Sequence, residues 1–532
     1  MAASRGGTAR RRPALRTIEK RRRRSRLLAW WLLLIPAASA HPEGPAPRPH
    51  APRPDPGQAR GPNFLILIGD DHAGGTLGID GDSRRATPRL DALARQGVRF
   101  DRAYCNAPVC TPSRQSFITG RMPHAVGVTR LLTSLPDDAV TLGDWLGELG
   151  YATAAFGKMH FNGKGRHGFA ERLDSNDWSA WLDRHPPPGG VHPMRWRPFQ
   201  DPAAVWLNAG CRSYGLPESA MESSYYVDRV VDFLGRRKDE GGRSPFALVV
   251  GFSEPHSPFK FPDEWAGRYR PGDFAAPPVS EADRLEQPRV FAGLTPAEVK
   301  GIGAAYYTSM SFLDHQVGRM LDALDASGMA DDTVVVYLGD NGYLLGQHGR
   351  FEKHCFYEPA VRVPMILRWP GHLPAGRRVP DLVELVDLLP TLLDLAGLPM
   401  PPDLHGRSLG GLARDLPGAR GRDVVVGEYL ENEEAMARSA RYKLIVGTGA
   451  RRRLDGYETG RPLPGPSERL YDLEADPDET TDLRGRPELA PVADDLRRRL
   501  LDRLATTRGG RVAVPPGLSE AEALRWCLVP QD

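Results

Sequence analysis

Cysteine is scarce in this chain: Cys105, Cys110, Cys211, Cys355 and Cys527 are the only five in 532 residues. That is too few for a disulfide scaffold, and the odd number leaves at least one thiol outside any intramolecular bridge. Lysine is nearly as rare, eight residues against 62 arginines. None of the seven asparagines opens an Asn-x-Ser/Thr acceptor site. An exported eukaryotic glycoprotein of this size would usually carry such sites, so a GC-rich bacterial source is expected. The most apolar run, Leu27–Ile35, falls short of the roughly 20 residues that span a bilayer. No single charge dominates either: 70 Lys+Arg face 67 Asp+Glu, a formal +3. Residues 1–40 hold eleven basic side chains against Glu19 alone, a local +10 that leaves −7 for the other 492. An acidic body excludes a nucleic-acid partner argued from total charge. Glycine and proline, 57 and 50 residues, make about a fifth of the chain, below the roughly 25–30% of disordered or fibrous sequences. Hydrophobic residues, at 40%, suffice for a large core.

What is present begins with an address. Arg21–Arg26, the apolar run and Ala38-Ser39-Ala40 predict an export signal over 1–40, cleaved before His41. The route is Sec or, given the arginine cluster, twin-arginine, and a secreted or periplasmic bacterial protein without stable membrane insertion is expected. Residues 41–61 are rich in Pro, Arg and Gly and read as linker. Apolar strands are expected at Phe64–Ile68, Ala152–Phe156, Phe246–Phe252, Thr333–Leu338 and Met365–Trp369. Helices are expected at Thr87–Gln96, Leu142–Leu149, Tyr225–Leu234, Tyr306–Leu324 and Leu385–Ala396. This alternation predicts an α/β domain over 62–405, with a mostly parallel central sheet flanked by helices. After a Pro/Gly/Arg-rich crossing at 399–421 come strands Val424–Tyr429 and Tyr442–Val446 and a helix Pro487–Leu504. They predict a smaller C-terminal α+β subdomain with an antiparallel sheet over 406–512. The tail 513–532 gives no reading.

Four of the expected strands are followed by polar residues: Asp70-Asp71, Lys158 with His160, Glu254 with His256, and Asp340-Asn341. Open parallel sheets bind ligands beyond the carboxyl ends of their strands, so these distant segments are expected to meet in one site. Asp70, Asp71, Asp340 and Asn341 offer oxygen donors without a Cys/His cluster, which suits a hard cation such as Ca²⁺ or Mg²⁺. A single Asp-Asp or Asp-Asn after a strand is more often a turn; two such pairs favour metal. Lys158, His160, His256 and Lys353 would suit an anionic substrate beside it.

Cys110-Thr-Pro-Ser-Arg114, with Thr119-Gly-Arg121 behind it, resembles the sulfatase signature C-x-P-S-R. Gly69-Asp-Asp71, Gly157-Lys-Met-His160, Pro255-His-Ser-Pro258, Gly339-Asp-Asn-Gly342 and Gly346-Gln-His-Gly349 with Lys353 follow in the family's order. The resemblance spans nearly the whole chain beyond the leader and implies the alkaline phosphatase-like fold. It implies that a formylglycine-generating enzyme converts Cys110 to formylglycine, whose hydrate attacks sulfur and releases itself by C–O cleavage. It further implies that Asp70, Asp71, Asp340, Asn341 and position 110 bind a divalent cation, Ca²⁺ or Mg²⁺. Arg114 would hold position 110, Lys158 and Lys353 would neutralise sulfate oxygens, and Asp340 would accept a proton. His256 is expected as general acid for the leaving oxygen and His160 as base. Cys105 is expected to be structural, while His348 is open between a substrate contact and loop packing. Family members that share these blocks cleave phosphonate monoesters or phosphodiesters, an alternative chemistry; a non-catalytic binder of sulfated glycans is a second alternative. Trp178, Trp181, Trp196 and Trp206 lie in a long insertion and would either stack on a sulfated saccharide or pack the insertion. The segment Gly157–Phe161 with His167-Gly-Phe169 is similar to choline-sulfatase-like members, which keeps a small alkyl sulfate open.

Overall fold

The computed structural model describes residues 61–81, 86–188, 197–241, 244–451, 453, 455–508 and 513–530. The expected export signal and nearly all of the expected linker lie outside the described residues, as does Trp196. Twelve strands are numbered in chain order: β1 (Asn63–Gly69), β2 (Val98–Tyr104), β3 (Ala152–Gly157), β4 (Glu171–Leu173), β5 (Phe246–Gly251), β6 (Thr333–Gly339), β7 (Arg362–Arg368), β8 (Arg377–Glu384), β9 (Val424–Tyr429), β10 (Glu434–Ser439), β11 (Tyr442–Gly447) and β12 (Ser467–Asp472). The first eight form one sheet in the order β4-β3-β5-β1-β6-β7-β2-β8.

The continuous apolar runs take the middle of that sheet because both of their faces are covered. Phe64–Ile68 is at most 1% exposed, and Val334–Leu338 is wholly buried. β1 pairs in parallel with β5 on one side and with β6 on the other, Ile68 beside Gly251 and Leu338. One strand breaks the expected polarity. β7, read in the sequence from Met365 on, runs antiparallel to both β6 and β2. The connection 340–361 carries only two single helical turns, Gln347–Gly349 and Glu358–Val361, and no crossover helix that would return the chain in parallel. The longest helix, Pro296–Ser327, starts ten residues earlier than the periodicity suggests. The Thr295 hydroxyl caps the Glu298 amide and the Glu298 carboxylate accepts from the Thr295 amide at 2.8 Å, a reciprocal capping box.

The remaining four strands make an antiparallel sheet, β12-β11-β10-β9. Its apolar face packs on the helix Ala490–Thr506 through Leu496, Leu500 and Leu504. The last residues, unread in the sequence, form a second helix, Glu520–Leu528, which buries Leu524, Cys527 and Leu528 in the same cluster. All described residues belong to one compact unit.

A buried charge network ties the small sheet to the large one. Lys443 on β11 is fully buried; it donates to Glu479 at 2.8 Å and to the Phe356 carbonyl at 2.9 Å, and forms an ion pair with Glu358 at 2.8 Å. Glu358 also accepts from the Tyr104 hydroxyl at 2.9 Å. Removing one partner of such a network strands the others without compensation. Lys443→Met is therefore expected to destabilise the fold by about 3–5 kcal/mol, read as a lowered thermal midpoint.

Candidate active site

Backbone bonds stitch four strand ends into one floor. The Asp70 amide donates to the Glu254 carbonyl (3.1 Å), the Asp340 amide to the Gly69 carbonyl (3.1 Å), and the Lys158 amide to the Gly251 carbonyl (2.8 Å). The loops after β1, β3, β5 and β6 thus lie side by side at the carboxyl edge. Asp71 has a positive φ of 60°, a conformation that costs a non-glycine residue energy. Two bonds hold it there: its amide donates to Asp340 Oδ1 (3.1 Å), and its carbonyl accepts from the Tyr306 hydroxyl (2.9 Å).

Cys110 is the first residue of the helix Cys110–Thr119, all ten residues of which are buried. The positive end of that helix dipole therefore faces the carboxylates. The helix then binds its surroundings residue by residue. Arg114 Nε lies 2.7 Å from Asp340 Oδ2, its guanidinium also reaches the Lys158 carbonyl, and a third nitrogen stands 3.7 Å from Asp70. The Ser113 hydroxyl donates to the Asp340 carbonyl. Gln115 Nε2 donates to the His160 carbonyl at 2.6 Å.

Around Cys110 the charges alternate. Lys353 Nζ lies 2.5 Å from Asp71 Oδ1 and 3.7 Å from Cys110 Sγ, and Lys158 pairs with Asp70. The Asn341 amide donates to Asp71 Oδ1 at 2.7 Å, and His256 Nε2 stands 3.6 Å from Asp71 Oδ2. Ligand atoms of Asp70, Cys110 and Asp340, and again of Asp70, Asp71 and His256, lie within 4.8 Å of one another. Three buried oxygens on the two strand ends, Asp70 Oδ1, Asp71 Oδ2 and Asn341 Oδ1, have no hydrogen-bond partner. Buried oxygens without donors are costly, so this set fits a hard cation on chemistry as well as on position. The carboxylates Asp70, Asp71 and Asp340 are already matched in number by Arg114, Lys158 and Lys353. A divalent cation would make the pocket positive and suited to an anionic substrate.

Burial and these neighbours set the protonation states. Burial, with Asp70 and Asp71 close by, pushes the Asp340 carboxyl up to about 7 despite Arg114. Burial would also raise Asp70, but Lys158, His256, Lys353 and Arg114 together hold it well below the usual carboxylate range. Burial raises the Cys110 thiol against the pull of Lys353 and Lys158. Burial favours uncharged Lys158 and Lys353, yet Asp70 and Asp71 respectively keep both ammonium groups charged. His256 is lowered to about 4, by burial first and then by Lys353 and Lys158, against Asp71. His160 is driven well below the usual histidine range by burial and Lys158.

Hydrogen bonds fix both imidazole tautomers. The Thr111 hydroxyl gives its proton to the Leu131 carbonyl (2.7 Å), so it accepts from His160 Nδ1–H (2.9 Å). The lone pair of neutral His160 therefore sits on Nε2. His256 Nδ1–H likewise donates to the Ser257 carbonyl (2.6 Å), which leaves Nε2 toward Asp71.

The structure brings Asp70, Asp71, Cys110, Arg114, Lys158, His256, Asp340, Asn341 and Lys353 into direct contact, and Thr111 links His160 to the same helix. His348 stands apart: it stacks on Tyr357 at 3.7 Å and bonds Asp283 at 2.8 Å, a loop-packing role. Cys105 is buried against the Ala360 carbonyl, as a structural thiol should be, and none of the five cysteines forms a disulfide. The described tryptophans of the insertion pack it. Trp206 is buried against Phe199 and Phe291, Trp178 donates to the Ala220 carbonyl, and Trp181 lies on His185 and Tyr225. Thr111 and Gln115 sit inside the motif, yet nothing in the sequence shows that they hold the His160 loop. Tyr306 lies in an apolar helical stretch that gives no hint of its bond to Asp71.

Comparisons with known proteins bear on the family and the fold. The sulfatase family model matches residues 62–398, and a model described as the C-terminal part of N-sulphoglucosamine sulphohydrolase matches 346–506. A choline-sulfatase of Rhizobium meliloti (strain 1021) is 29% identical over 486 residues, 88% of this chain and 90% of that one. An arylsulfatase of Clostridium perfringens is 28% identical over 475 residues, 83% of this chain and 94% of that one. Among solved structures, the phosphonate monoester hydrolase of Agrobacterium radiobacter superposes with a TM-score of 0.69 at 24% identity, covering 84% of this chain and 96% of that one. A protein in complex with its substrate D-glucosamine-2-N,6-O-disulfate gives 0.68 at 22% identity, covering 85% and 99%. Below 25% identity these two matches speak to the fold alone, and that fold is the one described above. With the family model covering more than half of the chain and the curated relatives running nearly end to end, this protein belongs to the sulfatase family and is a sulfuric ester hydrolase.

Proposed function

We propose that the enzyme hydrolyses the sulfate ester of a carbohydrate or small alcohol at Cys110, after export from a bacterial cell. One observation carries the reading: the C-x-P-S-R helix sets Cys110 against both the Asp70–Asp340 carboxylates and the Lys353 ammonium. A buried, protonated thiol is a weak nucleophile, and this favours conversion by a formylglycine-generating enzyme. Formylglycine supplies, as its hydrate, the hydroxyl that attacks sulfur. A divalent cation, Ca²⁺ with Mg²⁺ as the alternative, supplies Lewis-acid polarisation of the sulfate when bound.

The chain's own residues do the rest. Asp70, Asp71, Asp340 and Asn341 hold the cation, and Arg114 fixes Asp340 and the helix that presents position 110. Lys158 and Lys353, both kept charged, neutralise sulfate oxygens as negative charge develops. His160, whose Nε2 carries the lone pair, accepts a proton at position 110. His256 donates from Nε2 to the departing alcohol oxygen and must be charged to do so. A sulfate ester anion beside it replaces part of the lost solvation and favours that charged form. His256→Gln is expected to lower kcat by about 10²–10⁴-fold for an alkyl sulfate, but far less for 4-nitrophenyl sulfate. The nitrophenolate leaves without a proton, so equal losses on both substrates would remove His256 from the acid role.

A second reading rests on the site itself: the same cation ligands and charged lysines could serve a phosphorus centre, the chemistry in the names of two fold neighbours, both phosphonate monoester hydrolases. Choline sulfate, an aryl sulfate, sulfated saccharides and a matching phosphonate monoester should therefore be assayed in parallel. The largest kcat/KM is expected on a sulfate ester. A larger value on the phosphonate would overturn the assignment.

A further inference from the structure

A cavity of about 1020 Å³, lined by none of the residues around Cys110, is used by no step above. It opens between the helix Glu281–Glu286, the segment 350–357 and the C-terminal strands β10 and β12. Its inner wall includes His354, the residue after Lys353. Arg453 lines it too, and bonds the buried Glu352 on the other side of Lys353 at 3.0 Å. Two lining residues, His354 and Arg453, thus adjoin or bond the segment that carries Lys353, whose side chain reaches Cys110.

Most of the charges on its walls are committed. Asp283 is bound to His348, Glu479 to Lys443, Glu468 to Arg497, and Glu286 to Arg469. Four are not: among the described residues, the side chains of Arg451, Arg461 and Arg484, and of one acid, Glu458, have no hydrogen bond or ion pair, which leaves the uncommitted charge of the cavity positive. Asn432, Thr459, Ser467 and Thr480 add neutral donors and acceptors, while Leu285 and Leu463, each about half exposed, form apolar lips. The volume is at the upper end of the roughly 300–1,000 Å³ typical of ligand pockets, far more than a small alkyl sulfate fills.

We propose that this cavity is a second binding site, which holds the distal rings of a sulfated oligosaccharide whose scissile sulfate lies at Cys110. The free guanidiniums take sulfate groups by bidentate, charge-assisted hydrogen bonds. The hydroxyls and amide match ring hydroxyls, and the leucines cover the C–H faces of the sugars. A lipid chain would leave this polar floor without partners. The proposal deepens the reading of the enzyme as a saccharide sulfatase and rests on it.

The test uses full-length protein carrying Cys110→Ala, so that binding is measured without turnover. The probes are a heparin-derived tetrasaccharide and its desulfated counterpart. The sulfated probe is expected to bind, and the desulfated one at least about tenfold more weakly. Adding Arg451→Ser, Arg461→Ser and Arg484→Ser together is expected to weaken the sulfated probe by a further tenfold or more, with an unchanged thermal midpoint showing that the variant is folded. The single variant Arg461→Ser, at an exposed position, is expected to show part of the same loss. Undiminished binding in the triple variant, equal binding of the two probes, or no binding of either would overturn the proposal. Failure of the underlying sulfatase reading looks different: 4-nitrophenyl sulfate turnover would survive Cys110→Ala.

Discussion

Cys110→Ala is expected to lower kcat/KM for sulfate esters by roughly 10⁴–10⁶-fold, the scale seen when a covalent nucleophile is deleted. The protein should remain folded. Cys110 is a small side chain at the start of a helix whose other residues are held independently by Ser113, Arg114 and Gln115. Its own polar contact is the 3.7 Å approach of Lys353, which keeps its pairing with Asp71 when the sulfur is gone. Thermal midpoint and circular dichroism should therefore match the wild type while turnover disappears. Retained turnover would mean that Cys110 is not the reacting residue, and the alternatives that share its chemistry would fall with it.

Asp340→Asn is the second large effect. The substitution preserves shape but removes the charge that binds Arg114 Nε at 2.7 Å and helps define the cation site. Oδ1 accepts from two amides, Asp71 and Asn341, so the loop geometry depends on this side chain as well. Loss of an outer-shell partner of a metal commonly costs about 10–100-fold in affinity or activity, and a direct ligand should cost more. Ca²⁺ binding by titration calorimetry is expected to weaken by at least about 100-fold, with kcat/KM falling at least as far. The calorimetric readout separates loss of the cation from loss of a proton acceptor: unchanged Ca²⁺ affinity with low activity would keep only the second role. Treating the wild type with a chelator should reproduce the activity loss, and Ca²⁺ should restore it.

How legible all this was depends on where each residue sits. The five apolar strands declared themselves because a strand buried on both faces must be apolar throughout, and four of them bear site residues. β2 and β8 did not, because they lie at the open side of the sheet. There the buried Arg99 pairs with the partly exposed Asp101, and Pro380 interrupts the run. β4 is only three residues long, and β10, though an inner strand of the small sheet, carries Glu434 and the buried Arg438, so neither shows a continuous apolar run. The antiparallel sense of β7 goes with a connection that holds no crossover helix, which the residue pattern of the strand itself does not encode. In the site, charged residues after glycine-ended strands were readable because few other roles explain buried Asp-Asp and Asp-Asn pairs. Thr111, Gln115 and Tyr306 act through a few hydrogen bonds to residues tens to hundreds of positions away, and no local pattern announces such bonds. His348 shows the reverse case: it lies in a family block, yet its ring is spent on Tyr357 and Asp283.

Charge tells the same story at larger scale. Residues 1–40 carry +10 and the other 492 residues, which bear the site, carry −7, so the net charge of that body cannot gather an anionic ester at long range. Two of the eight lysines, Lys158 and Lys353, are placed within reach of Cys110 and the carboxylates around it. The local pocket, rather than the protein's net charge, has to select the substrate.

The account turns on the chemical state of position 110. The most direct measurement is mass spectrometry of the peptide containing Cys110, taken from active enzyme produced with a formylglycine-generating enzyme. The account predicts an aldehyde at that position, with specific activity rising in proportion to its occupancy. An unmodified thiol in fully active protein would contradict it.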